Sequence, residues 1–148
     1  LKIGARIADA PPIEADLLYR FGEEIGLAFQ LKDDYLDVYG DSRTFGKKIG
    51  GDILNNKKTF MLISALNKAD EQTRSELNHW IAMESFDPEE KIAAVTHIYN
   101  QLGIDRVCEE EMEKHYRNAL SSLQEIAVDE EKKEMLYYIA GQMMKRIV

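Results

Sequence analysis

Hydrophobic residues recur every three to four positions along most of the chain, which is the spacing that buries one face of an α-helix. No segment keeps the strict alternation of apolar and polar residues that a half-buried β-strand would show. The helices are expected to be interrupted at Pro11-Pro12, Gly40 and Gly103. The pattern predicts an all-α protein, a helical bundle or part of one. The predicted elements are a helix end over residues 1–8 and helices over residues 13–39, 57–69, 70–84, 87–103, 104–126 and from residue 129 onward.

Short polar residues mark the predicted helix starts. Asp87-Pro88 followed by Glu90 combines a capping carboxylate, a proline at the first helical position and a capping-box acid. Asp70 is a second predicted N-cap. Residues 41–56 are rich in Gly, Asp, Asn and Lys and are predicted to form a loop. In the last helix, apolar residues one turn apart are predicted to face the core: Met135, Ile139, Met143 and Ile147.

The long helix over residues 13–39 carries a polar stripe between two apolar flanks. On a helical wheel of about 100° per residue, small and acidic residues fall within one sector of about 120°. This arrangement predicts a central helix that is covered by its neighbours and has a polar pocket along one edge. The stripe consists of Gly22, Gly26, Gln30, Asp33, Asp34 and Asp37.

Three carboxylates of this stripe, those of Asp33, Asp34 and Asp37, share one helix face within about one turn. Three like charges in a partly buried site disfavour full ionisation unless a counterion is present. Oxygen ligands without neighbouring His or Cys favour Mg²⁺ over zinc. The three residues are therefore predicted to bind Mg²⁺. The alternative is a solvated acidic patch, which the apolar flanks of the helix make less favourable.

Charge is distributed unevenly. The 148 residues carry a formal charge of −8, which argues against a general nucleic-acid binder because phosphate backbones would be repelled. Residues 43–58 nevertheless contain five basic residues and one acid, Asp52, so this segment is net positive. Lys47 and Lys57 lie ten and twenty residues after Asp37. Lysines beside carboxylate-bound Mg²⁺ suit a diphosphate ligand, since the metal and the ammonium groups neutralise different phosphate oxygens.

Composition restricts the compartment. The single cysteine, Cys108, excludes an intrachain disulfide and is predicted to pack in the core rather than react. A reducing cytoplasm is the expected location. No apolar run has the length of a membrane span.

An ordered set of motifs resembles the second aspartate-rich region of trans-isoprenyl diphosphate synthases, the polyprenyl synthetase family that includes farnesyl and geranylgeranyl diphosphate synthases. The block extends over about residues 26–66, and the order of the surrounding helices is also similar. The matching residues are Phe29-Gln30-Leu31-Lys32-Asp33-Asp34-Tyr35-Leu36-Asp37, then Gly40-Asp41, Gly46-Lys47, Gly51-Asp52 and Asn56-Lys57.

The resemblance implies an all-helical bundle of the isoprenoid synthase type, in which two aspartate-rich motifs hold Mg²⁺ ions around a central cavity. It implies condensation of isopentenyl diphosphate with an allylic diphosphate to make a longer polyprenyl diphosphate. Asp33 would be the principal metal ligand, supported by Asp34 and Asp37. Catalytic and substrate-binding roles would fall to Lys47 and Lys57, which grip the allylic diphosphate, and to Phe29 and Gln30, which line the site.

The family carries a first D-D-x-x-D region in its N-terminal half, and this sequence lacks it. The only D-D-x-x-D in the sequence is the one that begins at Asp33. We therefore expect residues 1–148 to be the C-terminal portion of a single isoprenoid synthase domain and to lack turnover alone. Such a portion is expected to expose an apolar face and to form a homodimer or pair with an N-terminal half. Two alternatives remain, a non-catalytic helical subunit that supports a catalytic prenyltransferase and a related terpene cyclase.

Overall fold

A computed structural model describes residues 1–40 and 49–145 of the chain. These residues fold into helices and connecting turns, without β-strands in the described ranges, so the all-α prediction is confirmed. None of the described helices is long and apolar enough to cross a membrane. The helices are α1 (Lys2–Ile7), α2 (Pro12–Tyr39), α3 (Gly51–Leu54), α4 (Phe60–Lys68), α5 (Glu71–Ala82), α6 (Pro88–Leu102), α7 (Ile104–Gln124) and α8 (Glu130–Lys145).

The predicted N-caps are confirmed. The Asp70 carboxylate accepts a hydrogen bond from the Thr73 amide at 2.8 Å, and the Asp87 carboxylate accepts one from the Glu90 amide at 2.9 Å. Each bond satisfies an amide that has no partner within the first helical turn. At the end of α6, Gly103 takes the left-handed conformation with φ of 63°, as expected of a glycine that ends a helix.

The prediction of a continuous loop over residues 41–56 is wrong in its second half, because Gly51–Leu54 form the short helix α3. A four-residue helix has no hydrophobic period that a sequence pattern could reveal. The predicted helix over residues 57–69 begins only at Phe60, where the Thr59 hydroxyl caps the first turn by accepting the Leu62 amide at 3.2 Å. Residues 41–48, which include Lys47, lie outside the described residues.

The chain divides into two compact units, residues 1–32 with residues 111–147 and residues 33–110. In the first unit, the early part of α2 packs against α7 and α8 through apolar side chains. Full burial of each large aliphatic or aromatic side chain contributes about 1.5–3 kcal/mol, so this cluster is the main source of the unit's stability. Its buried members are Leu17, Phe21, Ile25, Ala119, Leu123, Ile126 and Ala140.

The predicted core face of the last helix is wrong at two of its four residues. Met135 and Ile139 are 65% and 44% exposed, whereas Lys133 and Ala140 are buried in α8. Lys133 occupies the core face because its ammonium donates to the Ile126 carbonyl at 3.2 Å and pairs with Glu130. Its aliphatic stem can then replace an apolar side chain. Met143 is half-buried and packs against the core cluster, as predicted, and Ile147 lies outside the described residues.

The second unit has its own core, built where α3 to α6 meet the end of α2 and the start of α7. Cys108 has no exposed surface, and burial raises the pKa of its thiol to about 12. The thiol is therefore protonated and inaccessible, which confirms that Cys108 packs rather than reacts. Buried apolar residues of this unit include Val38, Ile53, Met61, Leu62, Leu77, Val95, Ile98 and Ile104.

Gly50, the residue before α3, packs closely against Ile92 of α6 in the second unit. Its φ is +86°, and a Cβ at this position would lie 2.5 Å from Cδ1 of Ile92. The left-handed conformation and the close approach of Ile92 both require the missing side chain.

We expect Gly50→Ala to lower the free energy of unfolding by about 2 kcal/mol or more, since backbone strain and the clash with Ile92 add. Gly103→Ala isolates the backbone effect, because its φ is also positive but no atom lies within 4 Å of the added Cβ, and it should cost only about 1 kcal/mol. Gly26→Ala, in open space on α2, should be neutral or stabilising. Urea unfolding measures all three, and equal losses at Gly50 and Gly103 would contradict the proposed contact with Ile92.

Candidate active site

The three predicted metal ligands lie near the C-terminal end of α2 in different environments. Asp33 is exposed, Asp34 is 4% exposed and Asp37 is half-buried. Successive residues of a helix point about 100° apart, so Asp33 and Asp34 cannot face the same surroundings. The end of α2 therefore offers one solvated carboxylate and one that must find its partners inside the protein.

Lys57 supplies the charge that Asp34 needs. Its ammonium lies 2.8 Å from Oδ1 of Asp34 and 2.8 Å from Oδ2 of Asp52. The Lys57 side chain is 51% exposed, so its ammonium is reachable from solvent while it holds both carboxylates. One lysine thus joins α2 to the segment that contains α3.

Asp37 has a different function in the same cluster. Its Oδ2 accepts a hydrogen bond from the Asp52 amide at 2.8 Å, and its backbone carbonyl accepts one from the Gly50 amide at 2.6 Å. These bonds satisfy two amides at the start of α3 that have no acceptor within that helix. Asp37 therefore fixes α3 against α2, and the position of Asp52 follows from that contact.

The electrostatics of the cluster agree with its geometry. Burial raises the pKa of the Asp34 carboxyl, and the ammonium of Lys57 opposes this effect. The pKa of Lys57 is raised because its ammonium donates hydrogen bonds to Asp34 and Asp52. Lys57 is consequently a cation at neutral pH, flanked by two carboxylates and partly open to solvent.

The metal prediction concerns residues that the structure does not gather into one cage. Across residues 1–40 and 49–145, no group of three or more His, Cys, Asp or Glu side chains is arranged to hold a metal ion. Asp34 and Asp37 are engaged by Lys57 and by the Asp52 amide, whereas Asp33 is exposed. Their shared role as ligands stays a prediction.

Two further predicted site residues lie on α2, before the three acids. Phe29 is half-buried and Gln30 is exposed, and both lie on α2 within the first unit. Lys47 falls in the segment outside the described residues. The catalytic and substrate-binding roles of these three residues stay predictions.

The sequence patterns did not identify the partners of Lys57. The motif contains Asp52 and Asn56 but predicts no role for them. Lys91, which donates a hydrogen bond to Asn56, is not among the predicted site residues. A signal existed, because Lys91 precedes Val95 and Ile98 by four and seven residues and so lies at an apolar position of α6.

We expect Lys57→Met to lower the free energy of unfolding by about 1 kcal/mol, a value that allows for the exposure of Lys57. The loss arises because the buried Asp34 carboxylate is left without its cation. Adding Asp34→Asn should recover part of it, as an amide is cheaper to bury than a carboxylate. Lys58→Met, at the exposed neighbour of Lys57, is the control for urea unfolding. Equal effects at Lys57 and Lys58 would show that the ion pair adds nothing to stability.

Comparisons with known proteins bear on this site. The family model described as "Polyprenyl synthetase" matches residues 1–101. The short chain isoprenyl diphosphate synthase of Methanothermobacter thermautotrophicus is 34% identical over 145 residues, which cover 98% of this chain and 43% of that protein.

Solved structures agree with this match. A crystal structure of geranylgeranyl pyrophosphate synthase has a TM-score of 0.88 at 35% identity, over 99% of this chain and 46% of that one. The geranylgeranyl pyrophosphate synthase from Corynebacterium glutamicum, complexed with isoprenyl diphosphate and magnesium, has a TM-score of 0.82 at 29% identity, over 97% of this chain and 40% of that one. The chain thus spans less than half the length of these proteins.

The predicted isoprenoid synthase fold is confirmed by these superpositions. The family match includes the second unit up to Gln101, and with it the end of α2, α3, Lys57 and nearly all of α6. The resemblance drawn from the aspartate-rich motif is therefore confirmed over most of the chain. The chain belongs to the polyprenyl synthetase family.

Proposed function

We propose that this chain is the C-terminal portion of a trans-isoprenyl diphosphate synthase domain, which condenses isopentenyl diphosphate with an allylic diphosphate. The observation that carries the proposal is the Lys57 ammonium between Asp34 and Asp52, next to the exposed Asp33, which directly precedes Asp34 in the chain. A cation partly open to solvent and an exposed carboxylate are the two kinds of group that a metal-bound diphosphate needs. Family membership supports the same reaction.

The donor set suits a divalent cation held by few protein ligands. Mg²⁺ commonly takes one or two carboxylates and completes its shell with water and substrate phosphate oxygens. Asp33 is the carboxylate best placed to bind it, while Asp34 and Asp37, already hydrogen-bonded to protein donors, would support the site from behind. When bound, the metal would neutralise negative charge on the diphosphate.

The protein's own residues have separate tasks in this proposal. Lys57, held by two carboxylates, would direct its remaining hydrogen-bonding capacity towards the allylic diphosphate, and Lys47 would add a second positive charge. Phe29 and Gln30 would line the site, with Phe29 near the isopentenyl substrate or the allylic carbocation. Positioning the diphosphate and neutralising its developing charge account for most of the rate enhancement expected in such a reaction.

A complete site requires more chain than is present here, because the sequence contains a single D-D-x-x-D. Exposed apolar residues of the first unit support pairing with an N-terminal half or with a second copy of the chain. We also propose a cytoplasmic location, as the single Cys108 is suited to a reducing compartment. The exposed apolar residues include Leu1, Ile3, Ile7, Ile13 and Tyr19.

The single motif also favours the second candidate, a non-catalytic helical subunit of a prenyltransferase. In that case the partner would carry the acids that this sequence lacks. The terpene cyclase is not proposed further, because the family match is to polyprenyl synthetases.

We expect the purified 148-residue chain to incorporate no labelled isopentenyl diphosphate, since it has one aspartate motif. A chimera that joins the N-terminal part of the Methanothermobacter protein to this chain should incorporate it. Asp33→Asn should then lower incorporation by more than about 100-fold, beyond the 10–100-fold typical of groups that only support a metal ligand. Asp129→Asn, an 82% exposed carboxylate, is the matched control. A folded chimera without activity would favour the non-catalytic subunit, and turnover by the isolated chain would refute the expected dependence on an N-terminal half.

Chelation tests the metal in the same chimera. We expect EDTA to abolish incorporation and added Mg²⁺ to restore it, because carboxylate and phosphate oxygens alone leave the diphosphate charge unneutralised. Ca²⁺, which prefers a larger and looser coordination shell, should restore binding of the diphosphate better than turnover. Full activity in EDTA would exclude a divalent cation from the site.

A further inference from the structure

A second lysine close to the candidate site is buried almost completely. Lys91, in the first turns of α6, is 1% exposed, and its ammonium lies 4.1 Å from the centre of the Phe86 ring. Within the described residues, no ion pair joins this ammonium to a carboxylate. Its hydrogen bond goes instead to Oδ1 of Asn56 at 2.8 Å. Burial lowers the pKa of Lys91, so the protein bears a cost to keep this amine inside.

Asn56 is the residue directly before Lys57, and its conformation sets where Lys57 goes. Its φ is +50°, in the left-handed region that asparagine tolerates better than most residues. The side-chain amide of Asn56 donates to the Ile81 carbonyl at 3.1 Å while its oxygen accepts from Lys91. Lys91 and the end of α5 thus hold the Asn56 side chain from two sides, and the chain turns sharply there.

The other end of α3 is held by the neighbour of Lys91. Ile92 contacts Gly50, the residue before α3, so closely that no side chain fits on Gly50. Two successive residues of α6 therefore hold the segment at both ends, Ile92 at Gly50 and Lys91 at Asn56. Asp52 and Lys57, which meet at 2.8 Å, are both carried by the segment so held.

A small cavity of about 20 Å³ separates the two lysines and is lined by Asp52, Asn56, Lys57 and Lys91, among others. This is room for about one water molecule, so a diphosphate cannot enter it. Lys91 is therefore not a direct ligand of the substrate. An apolar residue at position 91 would avoid the cost of burying an ammonium. It would, however, leave the side-chain oxygen of Asn56 without the hydrogen-bond donor that Lys91 supplies.

We infer that Lys91 is a positioning residue, which acts through Asn56 to hold the Lys57 ammonium at Asp34 and Asp52. The inference deepens the proposed function, on which it rests in so far as Lys57 binds the allylic diphosphate. A residue of α6 thus helps to place the Lys57 ammonium, although Lys57 itself is not part of α6.

The first test is independent of any ligand. In NMR spectra of ¹³C,¹⁵N-lysine-labelled chain, the side-chain signal of Lys57 is assigned as the one lost in Lys57→Met. We expect Lys91→Met to shift this signal towards the position of exposed lysines, because the ammonium leaves the two carboxylates. An unchanged Lys57 signal in folded Lys91→Met would overturn the inference.

Lys133→Met is the matched control. Lys133 is 3% exposed and donates to a backbone carbonyl, but it belongs to the first unit. Its replacement removes a buried ammonium of the same kind and should leave the Lys57 signal in place. If Lys133→Met shifts that signal as much as Lys91→Met, the effect is general loss of stability and the inference is wrong.

Asn56→Gly gives a second route in case Lys91→Met does not fold. Glycine accepts the positive φ of residue 56 but has no side chain to bind Lys91. We expect it to shift the Lys57 signal in the same direction as Lys91→Met. A signal at the wild-type position in folded Asn56→Gly would count against the inference.

The second test separates the inference from the proposed function. Binding of inorganic pyrophosphate with Mg²⁺ is measured by calorimetry on the wild type, Lys57→Met, Lys91→Met and the double variant. Each single change should weaken binding by about tenfold or more, the loss of one hydrogen bond to a charged group. The double variant should bind no more weakly than Lys57→Met, because Lys91 acts only through Lys57.

The outcomes point to different conclusions. Additive losses in the double variant would show that Lys91 acts by itself and would overturn the inference. If pyrophosphate binds as well without Lys57, the role of Lys57 in the proposed function fails. Absence of binding by the isolated chain would instead show that the diphosphate site needs the N-terminal half. The NMR comparison then still decides whether Lys91 positions Lys57.

Discussion

The buried carboxylate of Asp34 is the constraint on which the second unit depends. A carboxylate that is 4% exposed needs a cation and hydrogen-bond donors, or its desolvation would cost several kcal/mol. Lys57 meets that need, and it can do so only if the chain after α2 returns to the end of that helix. The ion pair therefore dictates the path of the segment as well as the charge of the site. It also leaves Lys57 partly exposed, where its charge is available to an anionic ligand.

Satisfying Asp34 requires backbone conformations that few residues accept. Gly50 and Asn56 both have positive φ, at the two ends of α3, and the short helix between them has little stability of its own. Its position comes from contacts outside the helix. Asp37 accepts the Asp52 amide with its carboxylate and the Gly50 amide with its backbone carbonyl, and Ile92 and Lys91 of α6 hold the two ends. The segment that contains α3 could not keep this conformation alone. Tertiary contacts with α2 and α6 therefore hold the candidate site in place. Rigid support of this kind is what a site needs to present charged groups at fixed distances.

Buried lysines recur in both units. Lys133 donates to the Ile126 carbonyl, and Lys32 donates to the carbonyls of Met143 and Met144 at 2.9 and 2.6 Å near the end of α8. Each tethers a helix end or a turn, where carbonyl groups have no amide partner in the helix. The long aliphatic stems let these residues replace apolar side chains in the core. Sequence patterns that treat lysine as a surface residue fail at such positions, and the wrong core positions assigned to Met135 and Ile139 of α8 are one result.

The sequence by itself determined the helices, because periodic apolar faces and N-caps such as Asp70 and Asp87 act within a few residues of chain. It also determined the family, through an ordered set of acids, glycines and lysines. It singled out Asp33, Asp34 and Asp37 but could not assign them different environments. Only the tertiary structure decided that Asp34 is buried against Lys57, that Asp37 fixes α3 and that Lys91 supports Asn56. These contacts join residues 15 to 35 positions apart, and their geometry depends on positive-φ turns and side-chain packing that no local pattern encodes.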